Sequence, residues 1–420
     1  MNRSVDVLII GGGPAGLAAA LALKEAGVEN LLIAEREETA GGILIQCIHN
    51  GFGLQRFKEE LTGPEYAERF LELARGKNIE IEPNACAIDI IDHGATKLVP
   101  LLSAARGLML VEARAVVLAM GCRERNRGNI NIPGSRPAGV MTAGAAQKMI
   151  NLHGYMPGKE VVILGSGDIG LIMARRMTWE GAHVKAVIEA QPHPGGLNRN
   201  IVQCLKDFHI PLHLSHTITR INGNHRVESV DVAPLDAGQE PRPADGFNLT
   251  CDCLLLSVGL IPENELSLKA GVKLDRVTGG PLVDSSLMTS VPGVFACGNV
   301  LHVHDLADWV SEEADHCGAA VAAFLRDGPP RGKTIPVRAG NLVRYALPAT
   351  VEVGKPARIS LRSIAPAEQV TLQAVADTGA VLYSKKLRVV YPSVMQRVEL
   401  ENIPEGVASV ELSFVKEDSK

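Results

Sequence analysis

Two Gly-rich turns of the same spacing, 154 residues apart, constrain this chain more than any other feature in it. Gly11, Gly13 and Gly16 form G-x-G-x-x-G straight after the apolar run VDVLII (5–10), and Gly165, Gly167 and Gly170 repeat it after VVIL (161–164). An unbroken apolar run of this length suits a strand buried on both faces of a parallel sheet. The three glycines of the motif serve three ends, namely a tight turn, close approach of the backbone to a pyrophosphate, and close helix–strand packing. The helix that follows turns unsatisfied N–H groups and the positive end of its dipole toward phosphate. Glu35 follows Gly16 by 19 residues and Glu189 follows Gly170 by 19, near the ~20 expected of an acid that binds ribose hydroxyls. A purely structural Gly-rich turn needs no such acid. The spacing therefore predicts two strand–turn–helix–strand units, each with a dinucleotide site.

The remaining pattern implies nesting. Short strands fill 79–120 and end in VVLAMG; residues 123–140, rich in Arg, Asn, Pro and Gly, read as a linker. After the second unit, 216–258 again gives short strands, ending in LLLSVG, and then VFACGN (294–299) and a helix over 307–325 follow. DGPPRGK (327–333) marks a boundary. Beyond it ARISLRS, QVTLQAVA and ASVELSF alternate apolar and polar residues, the period of half-buried strands. The expected fold class is α/β: two nested Rossmann-like domains, 1–122 with 285–330 and 123–284, plus a small C-terminal all-β sandwich over 338–420.

Composition removes several function classes. The net charge of −5 gives no basic bias for nucleic acid. No run of about 18 uncharged apolar residues is present, and the N-terminus lacks the long apolar core of a signal peptide. The eight cysteines are scattered without CxxC spacing, which suits reduced thiols in a cytoplasmic protein. Cys251 and Cys253 lie in a strand pattern, on one face, as buried thiols. Glu189, with no arginine after it until Arg199, favours a free 2′-hydroxyl and so NAD over NADP.

The segments at 116–121 and 294–299 decide which site takes which cofactor. They resemble the two later signatures of flavoproteins with two dinucleotide-binding domains, with Thr289, Phe295, Ala296 and Gly298 in place, Met120 where that family has Thr, and Asn299 where it has Asp. Over roughly residues 1–330 the chain resembles the pyridine nucleotide–disulfide oxidoreductase superfamily, outside its disulfide-reducing branch. That branch places cysteines two and seven positions after a GG pair; here Leu44 and His49 follow Gly41–Gly42. Its flavin-proximal Lys is replaced by Phe52 and the Glu partner by Ile172. The segments GGILIQCIHNGFGLQRFKEELTGPEYA and CGNVLHVHDLADWVSEEA look closer to NAD(FAD)-dependent dehydrogenases that accompany glycerol-3-phosphate dehydrogenase. Flavin subunits of dye-linked proline dehydrogenase, opine oxidase and hydrogen cyanide synthase are more distant relatives. The resemblance implies FAD on Gly11, Gly13, Pro14, Ala15, Gly16, Glu35, Arg36, Gly42, Ala87, Ala119, Gly121, Gly298, Asn299, Trp309 and Val310. It implies NAD(H) on Gly165, Gly167, Asp168, Ile169, Gly170, Glu189 and Gly259, a protein partner subunit, and an oligomer.

The expected activity is hydride transfer between NAD(H) and FAD, with electrons passing to an acceptor or partner. Two rivals stay open: a Cys47-based NADH oxidase or peroxidase, and a non-catalytic dinucleotide-binding subunit. Cys47 and His49 should lie near the flavin, as an activated thiol with its base or as a packed Cys and a hydrogen-bonded His. Asn50–Gly51 reads as a tight turn. His302, His304, Asp305 and Asp308 could be imagined around a metal, but aspartates at the start of a helix are far commoner as caps, so no metal is expected.

Overall fold

The computed structural model describes residues 2–416. The chain forms two compact units: Met1–Cys122 with Pro262–Lys420, and Arg123–Ile261. It therefore re-enters the first unit at Pro262, ahead of residue 285. Residues 262–284 hold only one short strand end, the helix Glu265–Lys269 and isolated bridges such as Leu274 with Pro281, too little periodicity to reveal where they belong.

The first unit is built on a sheet in the order Glu80–Glu82, Leu31–Ala34, Asn2–Ile10, Gly107–Leu118, Lys97–Ser103, Ala85–Ala87. Its centre is parallel: Ile9 stands beside Ile33 on one side and Val117 on the other. Val294–Ala296 adds in parallel to Gly107–Leu118. Val7, Leu8 and Ile9 are fully buried, as expected of a strand covered on both faces. The helices Pro14–Glu25 and Ala307–Asp327 pack closely because Gly318 has no side chain: a Cβ there would meet the Ala19 carbonyl oxygen at 2.6 Å.

The second unit repeats the plan with a five-stranded parallel sheet in the order Val140–Thr142, Cys253–Leu256, Glu160–Leu164, His183–Glu189, Leu212–Leu214. An antiparallel sheet of His216–Asn222, Ser229–Pro234 and Phe247–Thr250 flanks it. Cys251 and Cys253 are both buried but lie in different cores, Cys251 with Ile218 and Val230, Cys253 with Ile163 and Met177. The strand begins only at Cys253, so the two-residue alternation that would put both on one face does not hold.

The C-terminal segment is a sandwich of a five-stranded and a three-stranded sheet over a core of Ile359, Leu361, Leu372, Val398, Leu412 and Phe414. Its first strand, Thr334–Ala339, starts before residue 338 and pairs in parallel with Val410–Lys416. The sandwich is not a separate body. Tyr345 and Leu347 join the core of the first unit, and Ala349 N donates to Val283 O at 2.9 Å.

Candidate functional site

The N-terminal turn is packed shut behind two of its glycines and open in front of the third. Gly11 adopts φ 109°, where a Cβ would strike the Ala119 carbonyl oxygen. A Cβ on Gly16 would strike the carbonyl oxygen of Gly11. On Gly13 it would meet only the Cα of Gly42, at 3.8 Å. That open edge is where the motif brings a pyrophosphate. Pro14–Glu25 starts there with Gly13 as N-cap and no side-chain cap, leaving its first N–H groups for an anion. Glu35, buried at the end of its strand, accepts the N–H of Gly12 at 2.7 Å through Oε2 and that of Glu37 at 2.8 Å through Oε1.

The second turn repeats this plan. Gly165, at φ 97°, faces the Ser257 carbonyl oxygen, and Gly170 faces Ser257 Cβ and Gly165 O within 2.8 Å, while Gly167 meets nothing nearer than Ser257 Oγ at 3.4 Å. Glu189 Oε2 accepts Ser166 N at 2.8 Å and Ser166 Oγ at 2.6 Å, and Oε1 accepts Gln191 N at 2.9 Å. The duplication extends beyond the fingerprint and its acid. Gly195–Gly196 stands 154 residues after Gly41–Gly42. Gly41 N donates to Gly12 O, and Gly195 N donates to Ser166 Oγ, both at 2.8 Å. Sequence reading missed this second pair and the serine; the repeated E-x5-GG spacing was the available signal. Asp168 opens the helix Asp168–Trp179. Its Oδ1 accepts Leu197 N at 2.8 Å and Asn200 Nδ2 at 2.7 Å, so its side chain braces the loop after the acid. Ile169 packs on the core beside it, and Gly259, at φ 101°, accepts Arg125 N at 3.0 Å.

Of the other expected residues of the first unit, Gly298 and Val310 meet Ala15 at the start of the first helix, while the rest have partners of their own or face solvent. A Cβ on Gly298 would meet Ala15 Cβ at 2.8 Å and Val310 Cγ1 at 3.2 Å. Asn299 Oδ1 accepts His304 N at 3.0 Å. Gly121, at φ 71°, has open space around it. Ala87 lies on a strand led in by Ala85 N, which donates to Glu35 O at 2.8 Å. Arg36 points into solvent, 4.0 Å from Glu37. Trp309 Nε1 donates to Gln55 Oε1 at 2.8 Å, and the Arg397 guanidinium lies 4.6 Å over its ring.

The aspartates before and in the first turn of Ala307–Asp327 are not its caps. Leu306 is the N-cap, and no side chain caps the helix. Asp308 accepts Gly53 N at 3.1 Å and Gln55 N at 3.0 Å. Asp305 pairs with Arg362 of the sandwich and accepts Met395 N at 2.7 Å. His302 and His304 instead meet Glu313, a residue the sequence reading did not single out. Both Nε2 atoms approach Glu313 Oε2, at 2.9 and 3.3 Å, while Glu313 Oε1 accepts Gly298 N at 2.7 Å. Burial, then the neighbouring His304, hold the His302 imidazole below its ordinary value. Burial works to raise the Glu313 carboxyl, but the two imidazoles outweigh it and hold it well below the usual carboxylate range.

Cys47 caps the short turn Gly42–Gln46; its Sγ donates to Ile43 O at 3.3 Å. Burial pushes its thiol up to about 12. A nucleophilic thiolate needs the opposite shift. His49 lies 5.2 Å from the Phe52 ring, at the edge of an aromatic cluster with Tyr66. Asn50–Gly51 belongs to a strand, Asn50–Phe52, paired with Leu61–Thr62, rather than to a tight turn.

The profile of the family described as pyridine nucleotide-disulphide oxidoreductase matches residues 5–323, from the first strand into the long helix. The chain belongs to this family. It is 27% identical over 320 residues to hydrogen cyanide synthase subunit HcnB of Pseudomonas protegens (71% of this chain, 66% of that one). To an opine oxidase subunit of Agrobacterium tumefaciens it is 27% identical, covering 70% and 61%. The chain thus spans about two thirds or less of the length of the curated relatives it matches first. Among solved structures it is similar to T. acidophilum thioredoxin reductase, with a TM-score of 0.62, 25% identity and coverage of 77% and 98%. The fold of L-proline dehydrogenase from P. horikoshii is also similar, at TM-score 0.53 and 21% identity, covering 78% of this chain and 57% of that one. By family the chain is an oxidoreductase of a flavin and a pyridine nucleotide. Two of the relatives named from the sequence, hydrogen cyanide synthase and opine oxidase, recur here, and proline dehydrogenase recurs as a similar fold. Among the described residues, no helix is long and apolar enough to cross a membrane.

Proposed function

We propose that this chain is an FAD-dependent oxidoreductase that exchanges hydride with NAD(H) and passes electrons to a partner subunit. The observation that carries the reading is the doubled turn. Gly13 and Gly167 each leave an open edge at a helix start, and Glu35 and Glu189 each brace the same turn position.

Assigned to FAD are Gly11, Gly13, Gly16, Glu35 and Gly42 with the Gly298–Asn299 segment and the start of the long helix. When bound, the flavin supplies the hydride acceptor, and hydride transfer itself requires no side-chain acid or base. The residues bind and orient: N–H groups of the first helix hold phosphates, and the carboxylate of Glu35 keeps lone pairs for a ribose. Near Trp309 and Val310 the positive end of the long helix favours negative charge. In the second unit Gly165, Gly167 and Gly170 hold the nicotinamide dinucleotide. Glu189 selects NAD because a 2′-phosphate would meet a buried carboxylate. A raised Cys47 thiol speaks against the peroxidase reading. The subunit names of the hydrogen cyanide synthase and opine oxidase relatives support a protein partner.

Anaerobic titration of the purified protein with NADH tests the reading. Stoichiometric bleaching of bound flavin is expected. Protein that carries flavin but is not reduced by either nicotinamide nucleotide would support the non-catalytic subunit instead.

A further inference from the structure

We propose that His302, His304 and Glu313 form a binding site for one divalent transition-metal ion of the zinc class. The donor atoms lie within 4.8 Å of one another. Both Nε2 atoms converge on one carboxylate oxygen, Glu313 Oε2, at 2.9 and 3.3 Å. Ligands at 2.0–2.1 Å around a tetrahedral ion stand about 3.3 Å apart. The two separations are therefore close to those of a coordination polyhedron.

Proton placement gives the second argument. His304 Nδ1 lies 3.0 Å from the carbonyl oxygen of His302 and 3.3 Å from Asn299 Oδ1. A carbonyl oxygen only accepts, so Nδ1 carries the hydrogen. In a neutral ring Nε2 then presents a lone pair to Glu313 Oε2, which is also an acceptor. Two acceptors 3.3 Å apart in a buried place repel unless something positive lies between them. His302 has no such conflict: its Nε2 can donate to Glu313, and its Nδ1 can accept the Tyr345 hydroxyl at 3.3 Å. A cation, either a proton or a metal ion, is therefore needed between His304 Nε2 and Glu313 Oε2.

A metal ion supplies that charge and uses the surroundings better than a proton does. Metal-ligating histidines have the other ring nitrogen engaged by a carbonyl, carboxylate or water that fixes tautomer and orientation. The His302 carbonyl does this for His304, and Tyr345 engages the far nitrogen of His302. Glu313 is oriented in turn by the N–H of Gly298. Two imidazoles and one carboxylate suit zinc, with one position left to water. The cluster joins the Gly298–His304 segment and the long helix that follows it to the distant sandwich strand that carries Tyr345. A bound ion would stabilise the fold through that link.

The test uses full-length protein with its native flavin, dialysed against micromolar Zn²⁺ and then metal-free buffer, with metal counted by mass spectrometry. About one zinc per chain is expected, falling several-fold in His304→Gln and in Glu313→Gln variants of unchanged far-UV circular dichroism. Co²⁺ loading should give the visible bands of a tetrahedral nitrogen and oxygen site without thiolate charge transfer. That reading stands even if the variants fail to fold. Wild-type protein that retains no zinc would overturn the proposal. Zinc retained fully by folded His304→Gln, or cobalt with thiolate bands, would place the metal on cysteine and overturn it equally.

Discussion

Glu35 Oε2 accepts the backbone N–H of Gly12 at 2.7 Å, so the acid expected to meet a ribose also holds the phosphate turn in shape. Glu189 does the same for Ser166 at 2.8 Å in the second unit. Replacing Glu35 with Gln would weaken a buried charge-assisted bond worth about 1.5–3 kcal/mol. Lower flavin content, with a lower melting temperature even when free of flavin, is expected. A variant that loses flavin at unchanged apo stability would show that Glu35 serves the ligand alone.

Gly13 and Gly16 should respond differently to alanine. The extra methyl of Gly13→Ala enters open space, so the protein should fold and lose flavin. In Gly16→Ala it collides with the Gly11 carbonyl, and overpacking of this kind costs about 1–3 kcal/mol or more. Melting curves with flavin absorbance on both variants check this. Equal flavin loss at equal stability would contradict the geometry.

Preference for NADH over NADPH should amount to roughly tenfold to a hundredfold in kcat/KM, from a lost ribose bond and an unfavourable phosphate worth about 1–3 kcal/mol. Glu189→Gln should narrow the ratio. Equal kcat/KM for the two nucleotides in the unmodified protein would remove the argument.

Cys47 should be slow to alkylate. A thiol pushed up to about 12 leaves a thiolate fraction on the order of 10⁻⁵ at pH 7. Its alkylation rate should keep rising with pH well past the ordinary thiol value of about 8.5. Peroxide-dependent NADH consumption that disappears in Cys47→Ser would restore the peroxidase reading.

The sandwich should not be removable. Its period-two strands read as a small sandwich after the boundary at 327–333. Tyr345 and Leu347 instead complete the core of the first unit. Arg362 donates to Val303 O at 3.0 Å and pairs with Asp305, both partners being largely buried. Breaking such a pair costs about 3–5 kcal/mol. Arg362→Ala should therefore lower the melting temperature sharply, and truncation at 337 should yield unstable protein. A soluble, flavin-loaded truncation would show that the contacts are dispensable.

Both fingerprints, their acids, the strands around them and the sandwich strands were legible, because each rests on local periodicity or a fixed spacing. Partnerships across long separations were not. Arg362 and Arg397 look like solvent-facing cations of alternating strands, yet one pairs with Asp305 and the other with Glu312. Asp305 and Asp308 looked like caps because that is the common local use of aspartate beside a helix start. Glu313 lies 11 residues beyond His302 and has no spacing that ties it to the histidines.

The insertion of Arg123–Ile261 into the first unit also sets an order of manufacture on the ribosome. The inserted unit is one uninterrupted stretch and can close as soon as its last strand has emerged. The unit that begins first must wait: Gly107–Leu118 lacks its neighbour Val294–Ala296, and the first helix lacks Ala307–Asp327, until more than 300 residues are made. Domains fold as units during synthesis. The inserted stretch, residues 123–261, should therefore show protease protection before the N-terminal strand does, and chaperones should find their substrate in the waiting apolar run 5–10.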